Sequence, residues 1–374
     1  MIAVRRSRWG IGLVLLAAAL LTAADDRPSN DWPQVRGNAL QTGVAGSELP
    51  KELQVRWKFQ TKDAVEGAAA IVGDTVYVGS NDEHLYALDL ATGKQKWKYK
   101  AGPFRAAPGV HKGAVYVGDS DGKFHCVDAA TGAKRWVFET GGDITSGANF
   151  AGDAILFGSG DEHLYAVSAQ GKQLWKFQVP GGPVMGSPAV AGERTFVAGC
   201  DSALHVLDAA KGKELKAVEL PGQVGASAAV VGDKLYVGTM TNQVVGIDWK
   251  AGKLLWTFEA KKGRQPFYAS AAVTEKLVVV GSRDRRVYAL DRATGKEVWS
   301  FLTAGKVDSS PVIAGQRVYF GSTDGNLYVL DLASGKELQK IDLGSAVTAP
   351  PAVGNRCLVI GTERGVVYCL GAKD

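Results

Sequence analysis

The sequence contains little from which a chemical centre could be built. It has four cysteines and five histidines in 374 residues, and neither type forms a closely spaced cluster. The cysteines are Cys126, Cys200, Cys357 and Cys369, and the absence of a C-x-x-C pair argues against a zinc site or a redox dithiol. No serine lies in a nucleophile-elbow context. We therefore assign no catalytic residues and no metal ligands, and we leave open a disulfide between Cys357 and Cys369.

Long apolar runs are also scarce, and the most extended one lies at the N-terminus. Arginines within the first eight residues precede the uncharged stretch 11–21, and small residues follow it. This order is typical of an export signal peptide, and the run is short for a membrane span, which needs about 20 apolar residues. We predict a signal peptide over 1–24 and a lead-in segment over 25–50, with an uncleaved anchor as the alternative.

The predicted signal peptide and the positions of the cysteines indicate the cellular compartment. No cysteine precedes Cys126, so we expect a periplasmic or secreted protein that is not a lipoprotein and has no transmembrane segment once the signal is removed. The formal net charge is +5, and subtracting the three arginines of the signal leaves about +2. Such a balance gives no electrostatic support for nucleic-acid binding, so we expect no nucleic-acid partner.

A repeat dominates the rest of the sequence. The segment VYVGSNDEHLYALD ends at residue 89, and similar segments end at 128, 168, 208, 248, 291, 331 and 371, so the period is 39 to 43 residues. Each copy holds two short β-branched or aromatic runs joined by Gly, Ser, Asp or Asn, which is typical of a β-hairpin. A small-residue strand precedes the hairpin, and a turn with a further strand follows it. Four short strands per period, without helical periodicity, predict a propeller blade.

The predicted fold is all-β: an eight-bladed β-propeller of four-stranded antiparallel blades over residues 51–374. The eighth copy has too few residues after its hairpin to form a fourth strand. The segment 53–60, LQVRWKFQ, has the outer-strand pattern but precedes the first copy. We predict that this N-terminal strand completes the last blade and closes the ring, which leaves fewer open edges.

The turn that follows each hairpin identifies a family. ALDLATGKQKW (87–97), CVDAATGAKRW (126–136) and ALDRATGKEVW (289–299) resemble the tryptophan-docking motif of propellers of the pyrroloquinoline-quinone (PQQ) type, and copies four and seven keep the turn but lose the tryptophan. The resemblance extends from about Trp57 to the C-terminus. It implies either a quinoprotein dehydrogenase, which uses PQQ with calcium, or the non-enzymatic BamB-like branch, which scaffolds outer-membrane protein assembly.

The chain departs from both branches. It lacks the lipid-bearing cysteine of the BamB-like branch, and it lacks the adjacent-cysteine disulfide and the large insertions typical of the alcohol dehydrogenases. The lead-in DWPQVRGNALQTGV (31–44) resembles the start of many exported PQQ-repeat proteins. The sequence attaches no chemistry to that segment.

Alignment of the copies places one residue per blade at the start of the inner strand, at the mouth of a central channel. This channel ring consists of Glu66, Arg105, Thr145, Met185, Gly225, Tyr268, Asp308 and Thr348. Glu66, Arg105 and Asp308 are residue types that bind a quinone, a carboxylate or a cation. Calcium, however, needs six to eight oxygen ligands, and the ring has no tryptophan on which a quinone could stack. We therefore expect no cofactor, with PQQ and calcium as the alternative.

The sixth copy carries a three-residue expansion, FEAKKGRQPFYAS (258–270), which places cations beside aromatic residues. We predict partner-binding residues in this loop and in the following hairpin, namely Lys261, Lys262, Arg264, Phe267, Arg283, Arg285 and Arg286. Cations next to aromatic rings suit an acidic peptide, a carbohydrate or a carboxylate, and a solvated loop is the alternative. The hairpin tips of copies one to three, such as Asp82-Glu83, predict an acidic region on the other side of the same face.

Taken together, these features predict an exported, monomeric and non-catalytic propeller that scaffolds protein partners in the cell envelope. The alternatives are a PQQ- and calcium-dependent dehydrogenase and a protein that binds another small ligand or a glycan at the channel.

Overall fold

A computed structural model of the chain describes residues 30–261 and 264–372. These residues form 33 β-strands, and none of them belongs to a helix long and apolar enough to cross a membrane. The predicted signal peptide and the predicted partner-binding residue Lys262 lie outside the described residues.

The strands are numbered in chain order. They are β1 (Val44–Ala45), β2 (Gln54–Gln60), β3 (Ala70–Val72), β4 (Thr75–Ser80), β5 (His84–Asp89), β6 (Gln95–Lys100), β7 (Gly109–His111), β8 (Ala114–Gly118), β9 (Lys123–Asp128), β10 (Lys134–Glu139), β11 (Asn149–Ala151), β12 (Ala154–Gly158), β13 (His163–Val167), β14 (Gln173–Gln178), β15 (Ala189–Ala191), β16 (Arg194–Ala198), β17 (Ala203–Asp208), β18 (Glu214–Glu219), β19 (Ala229–Val231), β20 (Lys234–Gly238), β21 (Gln243–Asp248), β22 (Lys253–Glu259), β23 (Ala272–Val273), β24 (Leu277–Gly281), β25 (Arg286–Asp291), β26 (Glu297–Leu302), β27 (Val312–Ala314), β28 (Arg317–Gly321), β29 (Asn326–Asp331), β30 (Glu337–Asp342), β31 (Ala352–Gly354), β32 (Cys357–Gly361) and β33 (Val366–Gly371).

The strands form eight antiparallel blades, which confirms the predicted propeller. From the inner to the outer strand, the blades are β3–β6, β7–β10, β11–β14, β15–β18, β19–β22, β23–β26, β27–β30 and, for blade eight, β31–β33 followed by β2. The two middle strands of each blade are buried on both faces because a neighbouring blade covers each side, whereas the outer strands alternate between exposed and buried residues.

The ring closes as the sequence predicts. β2 pairs with β33, and Trp57 lies opposite Cys369 in this ladder. The N-terminal strand therefore supplies the outer strand that the last copy lacks. Cys357 and Cys369 are present as thiols rather than as a disulfide, and hydrogen bonding to Cys357 together with burial raises the pKa of the Cys369 thiol.

One blade differs from the predicted four strands. The two-residue strand β1 pairs in parallel with β27, placing Val44 opposite Ile313, so blade seven has a fifth strand on its inner edge. The sequence pattern of the blades contains no copy of this strand, because β1 belongs to the lead-in segment.

Tryptophan-docking turns join six of the blades to the next one. The Trp175 ring lies over Gly212, and its Nε1–H donates to the Ala209 carbonyl at 3.1 Å. Gly212 has a φ of +65°, and a Cβ at this position would meet the indole ring at 2.4 Å, so glycine satisfies both the turn and the close approach. Equivalent bonds are made by Trp57, Trp97, Trp136, Trp256 and Trp299.

The lead-in segment runs along the inner strands of the blades, at the end of the channel opposite the ring residues. Trp32 exchanges two 2.8 Å backbone hydrogen bonds with Ile71 of blade one, and the Gln34 amide bonds to Asn149 of blade three at 2.9 Å. Further backbone bonds reach the other blades, from the N–H groups of Asn355, Val110, Val190, Val230, Val273 and Ile313 to the carbonyls of Asn30, Pro33, Ala39, Leu40, Thr42 and Gly43, at 2.7 to 2.9 Å. We call residues 30–45 the strap.

Candidate functional site

The channel cavity lies between the ring residues and the strap. It encloses about 160 Å³, and its walls include six of the eight predicted ring residues, namely Glu66, Arg105, Thr145, Met185, Gly225 and Tyr268. Val35 and Arg36 of the strap line the same cavity. The repeat alignment therefore identified most of one end of the cavity, and the strap contributes the other.

Two oppositely charged ring residues bond to each other at the mouth of the cavity. The Arg105 Nε–H donates to Glu66 Oε2 at 2.9 Å, and the Asn81 amide donates to Glu66 Oε1 at 2.9 Å. Both carboxylate oxygens of Glu66 therefore already accept hydrogen bonds from this chain, and the residue is not a bare ligand for a cation.

The other ring carboxylate is also bound by an arginine. Arg283 donates to Asp308 through Nε at 2.9 Å and through Nη2 at 3.0 Å, and its guanidinium carbon lies 4.2 Å from the centre of the Tyr268 ring. The hydrogen bond to Asp308 raises the pKa of Arg283. This two-point contact joins a predicted partner-binding residue to two predicted ring residues.

The remaining ring residue, Thr348, and Asp308 are absent from the walls of the channel cavity as the described residues define it. The Thr348 hydroxyl is buried without a hydrogen-bond partner among the described residues. At Gly225, a Cβ would lie 2.7 Å from the Met240 methyl group. The methionines of two blades thus crowd this part of the ring.

A basic groove lies beside the channel on blades six and seven. It encloses about 490 Å³ and is lined by Gln265, Arg283, Asp284, Arg285, Arg286, Leu302 and Lys306. Arg285, Leu302 and Lys306 are exposed. A smaller adjoining cavity brings Lys261 next to Arg286. The structure therefore places the predicted hairpin arginines and Lys261 in one region, and it adds Lys306 and Leu302, which the sequence did not single out.

The cations of this region have few acidic neighbours. Arg283 is paired with Asp308, but Lys261, Arg285 and Lys306 form no ion pair with any residue that the structure describes. Arg264 is also exposed, with a φ of +32°. The groove consequently carries a net positive charge, since Asp284 is the one acidic residue among its described lining residues, and the exposed Leu302 side chain lines it as well.

The prediction that Phe267 contacts a partner was wrong, because its side chain is fully buried. A Cβ on Gly238 would lie 2.5 Å from the Phe267 Cβ, so Phe267 packs on the preceding blade. The equivalent residue, one position before each ring residue, is a buried hydrophobic in every blade: Val65, Phe104, Ile144, Val184, Val224, Phe267, Val307 and Val347. The alignment that produced the ring already contained this signal.

The predicted acidic region on blades one to three is weaker than the sequence suggests. Asp82 Oδ2 accepts from the Lys62 N–H and the Tyr86 hydroxyl, both at 2.8 Å, and its side chain is 3 % exposed. Asp119 is fully buried and accepts from His125 Nε2 at 2.8 Å. These carboxylates hold the hairpins to neighbouring segments rather than facing solvent.

The residues present do not fit a calcium-bound quinone. The two ring carboxylates are each bonded to an arginine, and only Glu66 lines the channel cavity. No group of three or more His, Cys, Asp or Glu side chains with metal-ligand geometry occurs within the described ranges. Calcium needs six to eight oxygen ligands, so we derive no step through this cofactor.

Two parts of the channel cavity were missed by the sequence. Val35 and Arg36 lie in the lead-in, which has no counterpart in the repeat. The serines Ser187, Ser227, Ser270 and Ser310 also line the cavity. Each serine lies two positions after a ring residue, so the repeat alignment could have found them, whereas nothing in the alignment points to Arg36.

The fold and the site define the class of protein: it is an eight-bladed β-propeller with tryptophan-docked blades, and the strap closes one end of its central channel. A family profile described as "Outer membrane protein assembly factor BamB" (PQQ_2) matches residues 52–146, 124–256 and 200–374. The chain therefore belongs to this family of PQQ-like repeat propellers.

Individual relatives are distant. The chain is 25 % identical over 230 residues to a polyvinylalcohol dehydrogenase from a Pseudomonas species, covering 60 % of this chain but 27 % of that protein. The BamB structure from Moraxella catarrhalis superimposes with a TM-score of 0.73 at 22 % identity, over 86 % of this chain and 98 % of that one. The quinohemoprotein alcohol dehydrogenase from Comamonas testosteroni gives a TM-score of 0.79 at 17 % identity, over 92 % and 81 %. At these identities the solved structures show the fold alone.

Proposed function

We propose that this protein is an exported, non-catalytic propeller that binds protein partners in the cell envelope through the basic groove, in the manner of an outer-membrane protein assembly factor. The observation that carries the proposal is the groove itself, where Arg285 and Lys306, which form no ion pair within the described residues, line the same surface as the exposed Leu302. Such a surface is complementary to a partner segment that combines acidic and apolar side chains.

The pairing of the ring carboxylates supports a binding role over a quinoprotein dehydrogenase. Glu66 and Asp308 are the ring residues best suited to a cation, and both accept hydrogen bonds from arginines of the same chain. We expect PQQ with calcium to leave the melting temperature unchanged, since a ligand that binds the folded state raises it with concentration. A concentration-dependent rise would favour the dehydrogenase.

Photo-crosslinking from the groove tests the proposed function. A photoreactive residue at position 302 is expected to capture a defined envelope protein, and the double variant Arg285→Glu/Lys306→Glu should reduce the yield about tenfold or more, because the charge complementarity is reversed. The capture should also weaken as salt increases.

The matched control is Lys94→Glu/Lys134→Glu, which reverses two exposed lysines on the opposite face of the ring. It should crosslink at the level of the original protein. Equal losses in both double variants, or the absence of any specific partner, would contradict the proposed role of the groove.

A further inference from the structure

The strap places an arginine at the centre of the propeller. Arg36 is 1 % exposed and lines the channel cavity. Its Nη2 donates to the carbonyl oxygens of Ala271 at 3.0 Å and Pro311 at 2.7 Å, in blades six and seven. One nitrogen of the guanidinium is therefore satisfied, and the side chain is held in place from two blades.

The rest of this guanidinium has no partner. Nε and Nη1 of Arg36 are buried and make no hydrogen bond within the described part of the chain. Burial alone lowers the pKa of Arg36, to about 9, with no carboxylate offsetting it. The group is still protonated at neutral pH, and a buried cation is costly unless an anion and hydrogen-bond acceptors compensate it.

A row of serine hydroxyls lies along the same side of the cavity. The oxygens of Ser187, Ser227, Ser270 and Ser310 accept the backbone N–H groups of Gly147, Ser187, Ser227 and Ser270 at 2.8 to 2.9 Å. Because these hydroxyls act as acceptors there, each retains an O–H donor. None of the four donates to another described residue, and all four line the cavity with Arg36.

At the level of the serines, the opposite wall of the cavity is apolar. The residues that correspond to the serines in blades one, two and eight are Ala68, Ala107 and Pro350, and all three line the cavity. Val35 of the strap adds further apolar surface. The cavity therefore has a donor-rich side, on blades four to seven, and an apolar side.

The negative charge of Glu66 does not neutralise Arg36. Glu66 lies at the mouth, where its oxygens accept from Arg105 and Asn81. The cavity thus combines the ion pair of Glu66 and Arg105 at its mouth with the cation of Arg36, which has no acidic partner among the described residues, at its floor.

From this arrangement we infer that the channel cavity is a binding site for one small monocarboxylate, with its carboxylate against Arg36 and the serine hydroxyls and its short alkyl group against the alanines. The cavity volume of about 160 Å³ is sufficient for a ligand of the size of acetate or propionate. This site goes beyond the proposed scaffold role, since the basic groove lies outside the cavity.

The test is a calorimetric and thermal titration of the purified protein with sodium acetate and propionate at constant ionic strength. Gluconate serves as the control for the apolar wall, because it carries the same carboxylate on a hydroxylated chain, and hydroxyl groups are costly to bury against the alanines. We expect one site per chain and a saturable rise in melting temperature of about 3 °C with acetate or propionate, and no rise with gluconate. Bromide and phosphate are titrated in parallel.

The variant Arg36→Gln should weaken acetate binding about tenfold or more, since the charge-assisted donors are removed. A crystal structure with acetate gives an independent readout if this variant does not fold, and we expect the carboxylate in contact with Nη1 or Nε of Arg36. Water alone in the cavity, equal effects of gluconate and acetate, or tighter binding of bromide or phosphate than of acetate would overturn the assignment.

Discussion

At the scale of single residues, the repeat uses charged side chains mainly to fix the hairpins. Asp161 Oδ2 accepts from the Gly141 N–H at 2.8 Å and from the Tyr165 hydroxyl at 2.7 Å, and Asp324 is bonded in the same way in blade seven. Burial raises the pKa of Asp161, but these hydrogen bonds outweigh it and lower the pKa below its usual range. Burial and the bond to Asp161 also raise the pKa of Tyr165.

This pKa difference predicts a pH-dependent contribution to stability. Because the folded pKa lies below the unfolded value of about 3.9, Asp161 stabilises the protein above about pH 4, and the contribution is lost as pH falls through the folded pKa. We expect Asp161→Asn to lower the free energy of unfolding by about 1–2 kcal/mol at pH 7, and by less below pH 4.

Urea unfolding at several pH values measures this effect. Glu193→Gln is the control, because the Glu193 side chain is 94 % exposed and its change should cost less than about 0.5 kcal/mol throughout. A penalty for Asp161→Asn that stays constant down to pH 3 would show that the charge of Asp161 does not contribute.

At the scale of strands and turns, the outer strands of seven blades each carry one side chain that covers the turn of the next blade. In blade three this is Trp175, which is 8 % exposed, and in blade four it is Lys216, whose Nζ donates to the Lys250 carbonyl. In blade seven, Gln339 stands at the position of the tryptophan. Its side-chain amide exchanges two hydrogen bonds with the Leu53 backbone, at 3.0 and 2.8 Å, so this position contacts the N-terminal segment instead of a turn.

The two kinds of docking contact should differ in energy. We expect Trp175→Ala to destabilise the protein by about 3 kcal/mol, because a buried ring and a hydrogen bond are both lost. Lys216→Ala should cost less than about 1 kcal/mol, since its stem is the main buried part. Denaturant unfolding of both variants gives the comparison.

Lys216→Trp provides the reverse test. Gly252, below Lys216, has a φ of +72°, like the glycines below the tryptophans. We expect this change to stabilise the protein by about 1 kcal/mol, as restoration of a repeat consensus does. A loss of stability would mean that blade five does not accept the indole ring.

At the scale of the whole molecule, the strap connects blades that are otherwise joined only to their neighbours. Arg36 bonds to residues 235 and 275 positions away in the chain. Gly43 makes this possible, because a Cβ there would lie 1.9 Å from Nη2 of Arg36. A propeller gains stability mainly between adjacent blades, so a segment that reaches all of them adds a second, central set of contacts.

A pair of glycine substitutions separates this central contact from backbone strain. Gly43 and Gly232 have φ values of +65° and +59°, but no atom lies within 4 Å of a Cβ at Gly232. Gly232→Ala should cost about 1–2 kcal/mol for the left-handed conformation alone. Gly43→Ala should cost a further 1–3 kcal/mol, approximately, because Arg36 must move.

Equilibrium unfolding in urea measures both changes, and equal losses would show that the Arg36 contact adds no stability. Gly43→Ala should also weaken acetate binding in the channel, because it displaces the Arg36 guanidinium. Gly232→Ala should bind acetate like the original protein.

The sequence alone determined the eight blades, the closure by the strand around Trp57 and the docking turns. The blades and the turns rest on residues close together in the chain and repeated at one period, so local patterning and turn chemistry are enough to predict them. The closure followed from the count of strands, because the last copy lacks an outer strand and the segment around Trp57 supplies one. The same alignment found Glu66, Arg105 and Tyr268 at one cavity, because equivalent positions in a closed ring must face the same axis.

Only the tertiary structure decided how those positions are used. It paired Asp308 with Arg283 and brought Arg36 of the strap to the floor of the channel. Each of these outcomes depends on side chains that meet across blades, or on a lead-in that has no repeat. Local spacing carries no information about such contacts, because they depend on how the blades and the strap are placed around the channel.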